Sequence, residues 1–191
     1  MNDFRTGYIA IIGRPNVGKS TLVNALLGQK IAAVSPKPQT TRKRQLGILT
    51  EAKYQLVFVD TPGMHSPRHK LGKFLNQEAE ESLAGVDVVL WLVDGSVKPT
   101  EEDKQIGLLL DKLPRRTPLV LAANKMDLIP AEALTRNLEA YQASVRKDAS
   151  AVSISATHSM HLDELVELLV SFSPFRQPEF DEEQVTDSFE R

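Results

Sequence analysis

The string GRPNVGKS, Gly13 to Ser20, sets two glycines, a lysine and a hydroxyl in the order G-x-x-x-x-G-K-S. Glycines let a loop turn so tightly that successive backbone N–H groups face one anion, and a helix opening at the loop's end adds its partial positive charge. Lys19 reaches the outer oxygens of a polyphosphate as a mobile point charge. The Ser20 hydroxyl is a hard ligand for Mg²⁺, and Gly13, Asn16, Val17, Gly18 and Thr21 complete the cradle.

Three further short words extend the chemistry from phosphate to base. Asp60 ends the apolar run YQLVFV, where its carboxylate would hold a Mg²⁺-bound water, and Gly63 of DTPG can bring a main-chain N–H close to the outermost phosphate because it has no Cβ. NKMD, Asn124 to Asp127, follows the run LVLAA. The Asp127 carboxylate can accept from N1–H and the N2 amino group of guanine, whereas adenine offers an acceptor and a bare carbon there. Two charge-assisted bonds at about 1.5–3 kcal/mol each favour guanine strongly and argue against ATP as the main ligand. Asn124 would brace base and phosphate loop, Lys125 would lay its stem along the purine, and Ser155 and Ala156 would bring the Ala156 N–H to guanine O6.

Such residues need strand ends and turns to hold them. Short apolar runs alternate with helical patterns, the layout of a sheet with helices on both faces. Strands are expected at Tyr8 to Ile12, 44–50, 54–59, Val86 to Val93, Leu119 to Ala123 and Ala151 to Ile154. The second and third are too close for a crossover and must pair antiparallel. Helices are expected from about Gly18 to Leu27, Thr100 to Lys112 and Ala131 to Val145, with a last one carrying Leu162, Leu165, Val166 and Leu169 on one face. Residues 1–172 form one domain. From Ser173 the chain turns proline-rich and acidic and reads as a linker or tail, the alternative being a segment packed back through Phe175 and Phe180.

Composition bounds the rest. The 191 residues fit one core, and a formal net charge of -2 supplies no global field toward nucleic acid or membrane. The absence of cysteine removes disulfides, thiolate catalysis and Cys-ligated zinc. No run approaches the roughly 20 apolar residues of a membrane helix, and the expected location is the cytoplasm.

The ordered set GRPNVGKS, QTTR, DTPG, NKMD, SA resembles the translation-factor-related GTPases, and SPKPQTTRKRQLGI, Ser35 to Ile48, is similar to the first switch segment of the Era-like ribosome-assembly GTPases. The resemblance implies an α/β, Ras-like P-loop GTPase domain with a mostly parallel six-stranded sheet and one antiparallel strand. It implies a GTP/GDP cycle with Ser20, Thr41 and Asp60 around Mg²⁺, Thr40 being the lesser candidate for the threonine. It also implies partners: the small ribosomal subunit and 16S rRNA, reached mainly through a C-terminal KH-type domain absent from this chain. A monomer, with peripheral membrane association, completes what the family would do. The basic clusters Arg42 to Arg44 and Arg68, His69, Lys70 and Lys73 are either solvated loops or partner surfaces that respond to the nucleotide.

One position departs from the commonest hydrolytic pattern. Ras-type enzymes orient water with a glutamine after the glycine of DTPG, and here Met64 follows it. A thioether cannot orient water. In similar GTPases with a GRPN-type loop the asparagine ligates K⁺ beside the phosphates, so Asn16 is either that ligand or a turn residue. Slow, K⁺-stimulated GTP hydrolysis, with Lys19, Thr41, Gly63 and Asn16 as the acting groups, is the leading expectation; a nucleotide-gated interaction module with negligible hydrolysis is the alternative.

Overall fold

The computed structural model describes residues 3–28, 45–60 and 83–181. Six strands, β1 (Arg5–Ile12), β2 (Gln45–Glu51), β3 (Tyr54–Asp60), β4 (Val88–Asp94), β5 (Leu119–Asn124) and β6 (Ser150–Ser153), form one sheet in the order β2-β3-β1-β4-β5-β6. Only the β2–β3 pair is antiparallel. The helices are α1 (Lys19–Leu27), α2 (Glu101–Asp111), α3 (Ala131–Gln142) and α4 (Leu162–Phe172). The expected Ras-like architecture is therefore borne out.

Side-chain alternation explains the layers. Ile9 and Ile11 of β1 face a cluster with Leu22 of α1 and Leu165 and Leu169 of α4. Ala10 and Ile12 face the other side, with Ile106 and Leu110 of α2 and Tyr141 of α3. All seven residues of β4 are buried, as a strand covered on both faces requires. Trp91 and Tyr141 meet edge to face with ring centres 5.9 Å apart. At Gly107 helix α2 passes so close to the turn after α3 that a Cβ would lie 2.6 Å from the Ser144 carbonyl oxygen. A side chain there would push α2 away from that turn.

Strand β1 starts three residues earlier than its apolar run indicated, because Arg5, Thr6 and Gly7 pair with Tyr54, Gln55 and Leu56 of β3 on one side and meet the segment after α4 on the other. β4 pairs with β1 only from Ile9 onward. Ahead of that point the segment after α4 takes its place: the Thr6 N–H donates to the Pro174 carbonyl at 3.2 Å and the Arg176 N–H to the Phe4 carbonyl at 3.1 Å. Residues 173–181 thus lie along the sheet. Phe180 packs on the core and Arg176 pairs with Asp87 at 2.7 Å. Buried Gln55 holds the backbone of Glu179 and Phe180 with both ends of its amide. Phe175 contributes less, being 59% exposed with the Arg5 guanidinium stacked over its ring.

Candidate functional site

The turn from β1 into α1 lies at the carboxyl end of a strand flanked by β3 on one side and β4 on the other. This is the crevice where open α/β sheets bind ligands. Gly18 has φ 103°, and a Cβ at that residue would lie 2.4 Å from Nδ2 of Asn124. Both facts demand glycine. Asn16, at φ 65°, takes the left-handed conformation that asparagine tolerates better than most residues.

Asn124 organises the site. Its Nδ2 donates to the Val17 carbonyl at 2.9 Å, and its Oδ1 accepts the Ala156 N–H at 2.9 Å. Phosphate loop, β5 and the turn after β6 are thereby joined by one side chain that is only 3% exposed. Lys125, itself left-handed at φ 67°, donates through Nζ to the Asn16 carbonyl at 3.0 Å and to Asp94 Oδ2 at 2.7 Å. Lys125 together with two Ser96 donors holds the Asp94 carboxyl below the usual range, against the opposing effect of its burial.

Lys19 folds over its own loop, donating to the Gly13 carbonyl at 2.5 Å. Burial lowers its pKa to about 8, with the Asp60 carboxylate opposing the shift. Asp127 stands in a short 3₁₀ turn, Met126–Leu128. The hydrogen bond from Ser155 is the main reason its carboxyl lies below the usual range, and His158 Nδ1 lies 3.4 Å from its Oδ2. Lys19, Ser20, Thr21, Asp60, Asn16, Gly18, Asn124, Lys125 and Asp127 all line one cavity of about 900 Å³. It can accept a polyanion at one end and a planar donor pair at the other.

A family model described as "50S ribosome-binding GTPase" matches residues 8–125. The chain belongs to the 50S ribosome-binding GTPase family. Within this GTPase family it is 41% identical over 187 residues to GTPase Era of Clostridium kluyveri, covering 98% of this chain and 63% of that protein. Among solved structures it is similar to a single-residue variant of Aquifex aeolicus Era bound to GDP·AlF4⁻, with TM-score 0.73, 36% identity and coverage of 94% of this chain and 60% of that one. The same TM-score, identity and coverage hold for Era in complex with MgGDPNP and nucleotides 1506–1542 of 16S ribosomal RNA. The chain thus spans less than two thirds of the length of these relatives.

Not every expected residue of the GTPase site lines the cavity. Gly13, Val17, Ser155 and Ala156 are not among its lining residues; at Gly13 a Cβ would fall 2.3 Å from the Leu92 carbonyl oxygen, so the turn requires glycine there. The Ala156 N–H, expected at guanine O6, donates to Asn124 Oδ1 in this structure, and Ala156 is 2% exposed. Thr157, the next residue, lines the cavity. Thr40, Thr41, Gly63, Met64 and both basic clusters lie outside the described residues.

Sequence reasoning also missed residues. Asp94 could have been found as an acid ending a buried strand, as Asp60 does. His158 gave no signal. Arg14 was readable only as a variable position of the loop, yet its Nε sits 3.1 Å from buried Asp103.

Proposed function

We propose that the chain binds guanine nucleotide in this cavity and hydrolyses GTP to GDP and phosphate. One observation supports this above the others: Asn124 joins the turn that carries Lys19 and Ser20 to the strand end that carries Asp127, so both sets of groups line one cavity. In this reading Lys19 and the loop N–H groups bind the phosphates, and Asp127 reads N1–H and the N2 amino group. Lys125, held by Asp94, lies along the base.

Mg²⁺ fits the donor set. The Ser20 hydroxyl and the Asp60 carboxylate are hard oxygens that line the same cavity, and Thr41 would complete the set from outside the described residues. Held by Ser20 and Asp60, the ion would supply positive charge that offsets the negative charge developing on the phosphate. Asn16 supports both of its readings, since its backbone shapes the turn while the residue lines the cavity. K⁺ held there, with Gly63 donating to the phosphate, would supply the charge that Met64 cannot.

The whole protein is proposed to act in small-subunit assembly as a monomer in the cytoplasm, with peripheral membrane association. The family description names the 50S subunit, but the relative held with RNA carries a 16S segment. Identity to Era favours the latter partner. RNA contact would fall mainly to a KH-type domain, with residues 173–191 as the linker or tail toward it. No helix among the described residues is long and apolar enough to cross a membrane.

Single-turnover release of phosphate from GTP with Mg²⁺, in KCl against NaCl, tests the reading. Release in both salts, faster in KCl, is expected. Equal rates remove the role of K⁺, and GTP that persists for hours in both leaves a binding module without hydrolysis.

A further inference from the structure

Two carboxylates stand behind the phosphate loop, and each is met by a cation that also belongs to the loop or bonds to it. Asp94 is 8% exposed and is held by Lys125, which bonds to the Asn16 carbonyl. Asp103 is fully buried, and its Oδ2 accepts from Arg14 Nε at 3.1 Å. That oxygen also takes the Thr100 N–H and hydroxyl, each at 2.9 Å, while Oδ1 has no hydrogen-bond partner among the described residues. Tyr141 spans the two, its hydroxyl 3.1 Å from the Asp94 carbonyl oxygen and 3.3 Å from Asp103 Oδ2.

Asp103 is the third residue of α2 and closes the reciprocal cap with Thr100. The helix therefore needs a carboxylate there for its own start, whatever the loop binds. A buried carboxylate next to an anion cradle opposes the approach of phosphate unless a cation neutralises it. Arg14 is the cation in contact with it, and it stands inside the loop.

We infer that Arg14 is a positioning residue for the nucleotide: paired with Asp103, it pins the outer side of the phosphate loop to the start of α2 and cancels the carboxylate's field at the phosphates. The inference rests on reading the loop as a polyphosphate cradle. It assigns a task to a loop position that the motif leaves open, and it requires that the damage caused by losing Arg14 be repaired by removing the charge of Asp103.

The test measures affinity for a fluorescent GDP analogue and for a non-hydrolysable GTP analogue, with the melting temperature of each protein, in wild type, Arg14→Gln, Asp103→Asn and the double variant. Arg14→Gln is expected to weaken GDP on the order of tenfold, the effect of one uncompensated charge at an effective dielectric near ~20. The GTP analogue should lose more because it carries more negative charge, and the double variant should regain most of both losses. A merely structural contact would make the double variant weaker still. Arg14→Gln within twofold of wild type, equal losses for the two nucleotides, or a double variant no better than Arg14→Gln overturns the inference. If proteins carrying Asp103→Asn do not fold, the comparison of the two nucleotides in Arg14→Gln decides alone. Wild-type protein that binds neither analogue would remove the cradle reading itself, and this inference with it.

Discussion

The side-chain nitrogen of Asn124 donates to the carbonyl of Val17 at 2.9 Å, a bond between residues 107 positions apart. It links the loop that would hold phosphate directly to the strand end that would read the base. Because the other end of the same amide accepts the Ala156 N–H, a single residue fixes the spacing of three segments. Replacing it exposes the cost of that economy.

Asn124→Ala strands a buried carbonyl and a buried N–H together. Each unsatisfied group costs about 1–3 kcal/mol, so the variant should lose about 2–6 kcal/mol of unfolding free energy in urea titration. Guanine-nucleotide affinity should fall with it. A loss under about 0.5 kcal/mol, typical of surface substitutions, would show that the amide does not bind the segments together.

Lys19 supplies a prediction in pH. Its pKa of about 8 in the ligand-free fold lies below the ordinary lysine value of 10.5. Between those values the unfolded chain holds more of the lysine proton than the fold does, so this group makes stability rise with pH across that window; below pH 8 both states are protonated and the group contributes no slope. Phosphate beside the ammonium favours its charged form. GDP binding at a pH of about 8.5 should therefore take up protons, seen as a calorimetric enthalpy that changes with the ionisation enthalpy of the buffer. No buffer dependence would place Lys19 away from the phosphates.

Gln55 lies five residues before Asp60 on β3, roughly 17 Å from the site end of the strand at about 3.3 Å per residue. Its amide holds the backbone of Glu179 and Phe180. Gln55→Leu should raise hydrogen exchange in residues 177–181 at least tenfold while leaving GDP affinity within twofold. Unchanged exchange would mean that the segment is held by Phe180 and Arg176 without the amide.

The fold was legible because its signals are periodic. Short apolar runs such as YIAII and LVLAA recurring between helical patterns, two strands with too little chain between them for a crossover, and a glycine loop before a helix leave few arrangements of six strands. The phosphate and base residues were legible because each word pairs unusual residues at fixed spacing. What escaped were long-range partners chosen by packing: nothing in the sequence puts Asp103 against Arg14. Packing of residues 173–181 on the domain was legible only as an alternative, since the anchors include main-chain bonds to Phe4 and Thr6 and a buried glutamine that looks like an exposed strand residue.

The most direct test of the central claim, that Asp127 selects guanine for the cavity built around Asn124, is displacement of a fluorescent GDP analogue from the purified chain by GTP and by ATP under identical Mg²⁺ and salt. Two carboxylate bonds at about 1.5–3 kcal/mol each predict GTP at least a hundredfold more effective than ATP, with the difference lost in Asp127→Ala. ATP displacing the analogue as well as GTP does, or neither displacing it, would contradict the account.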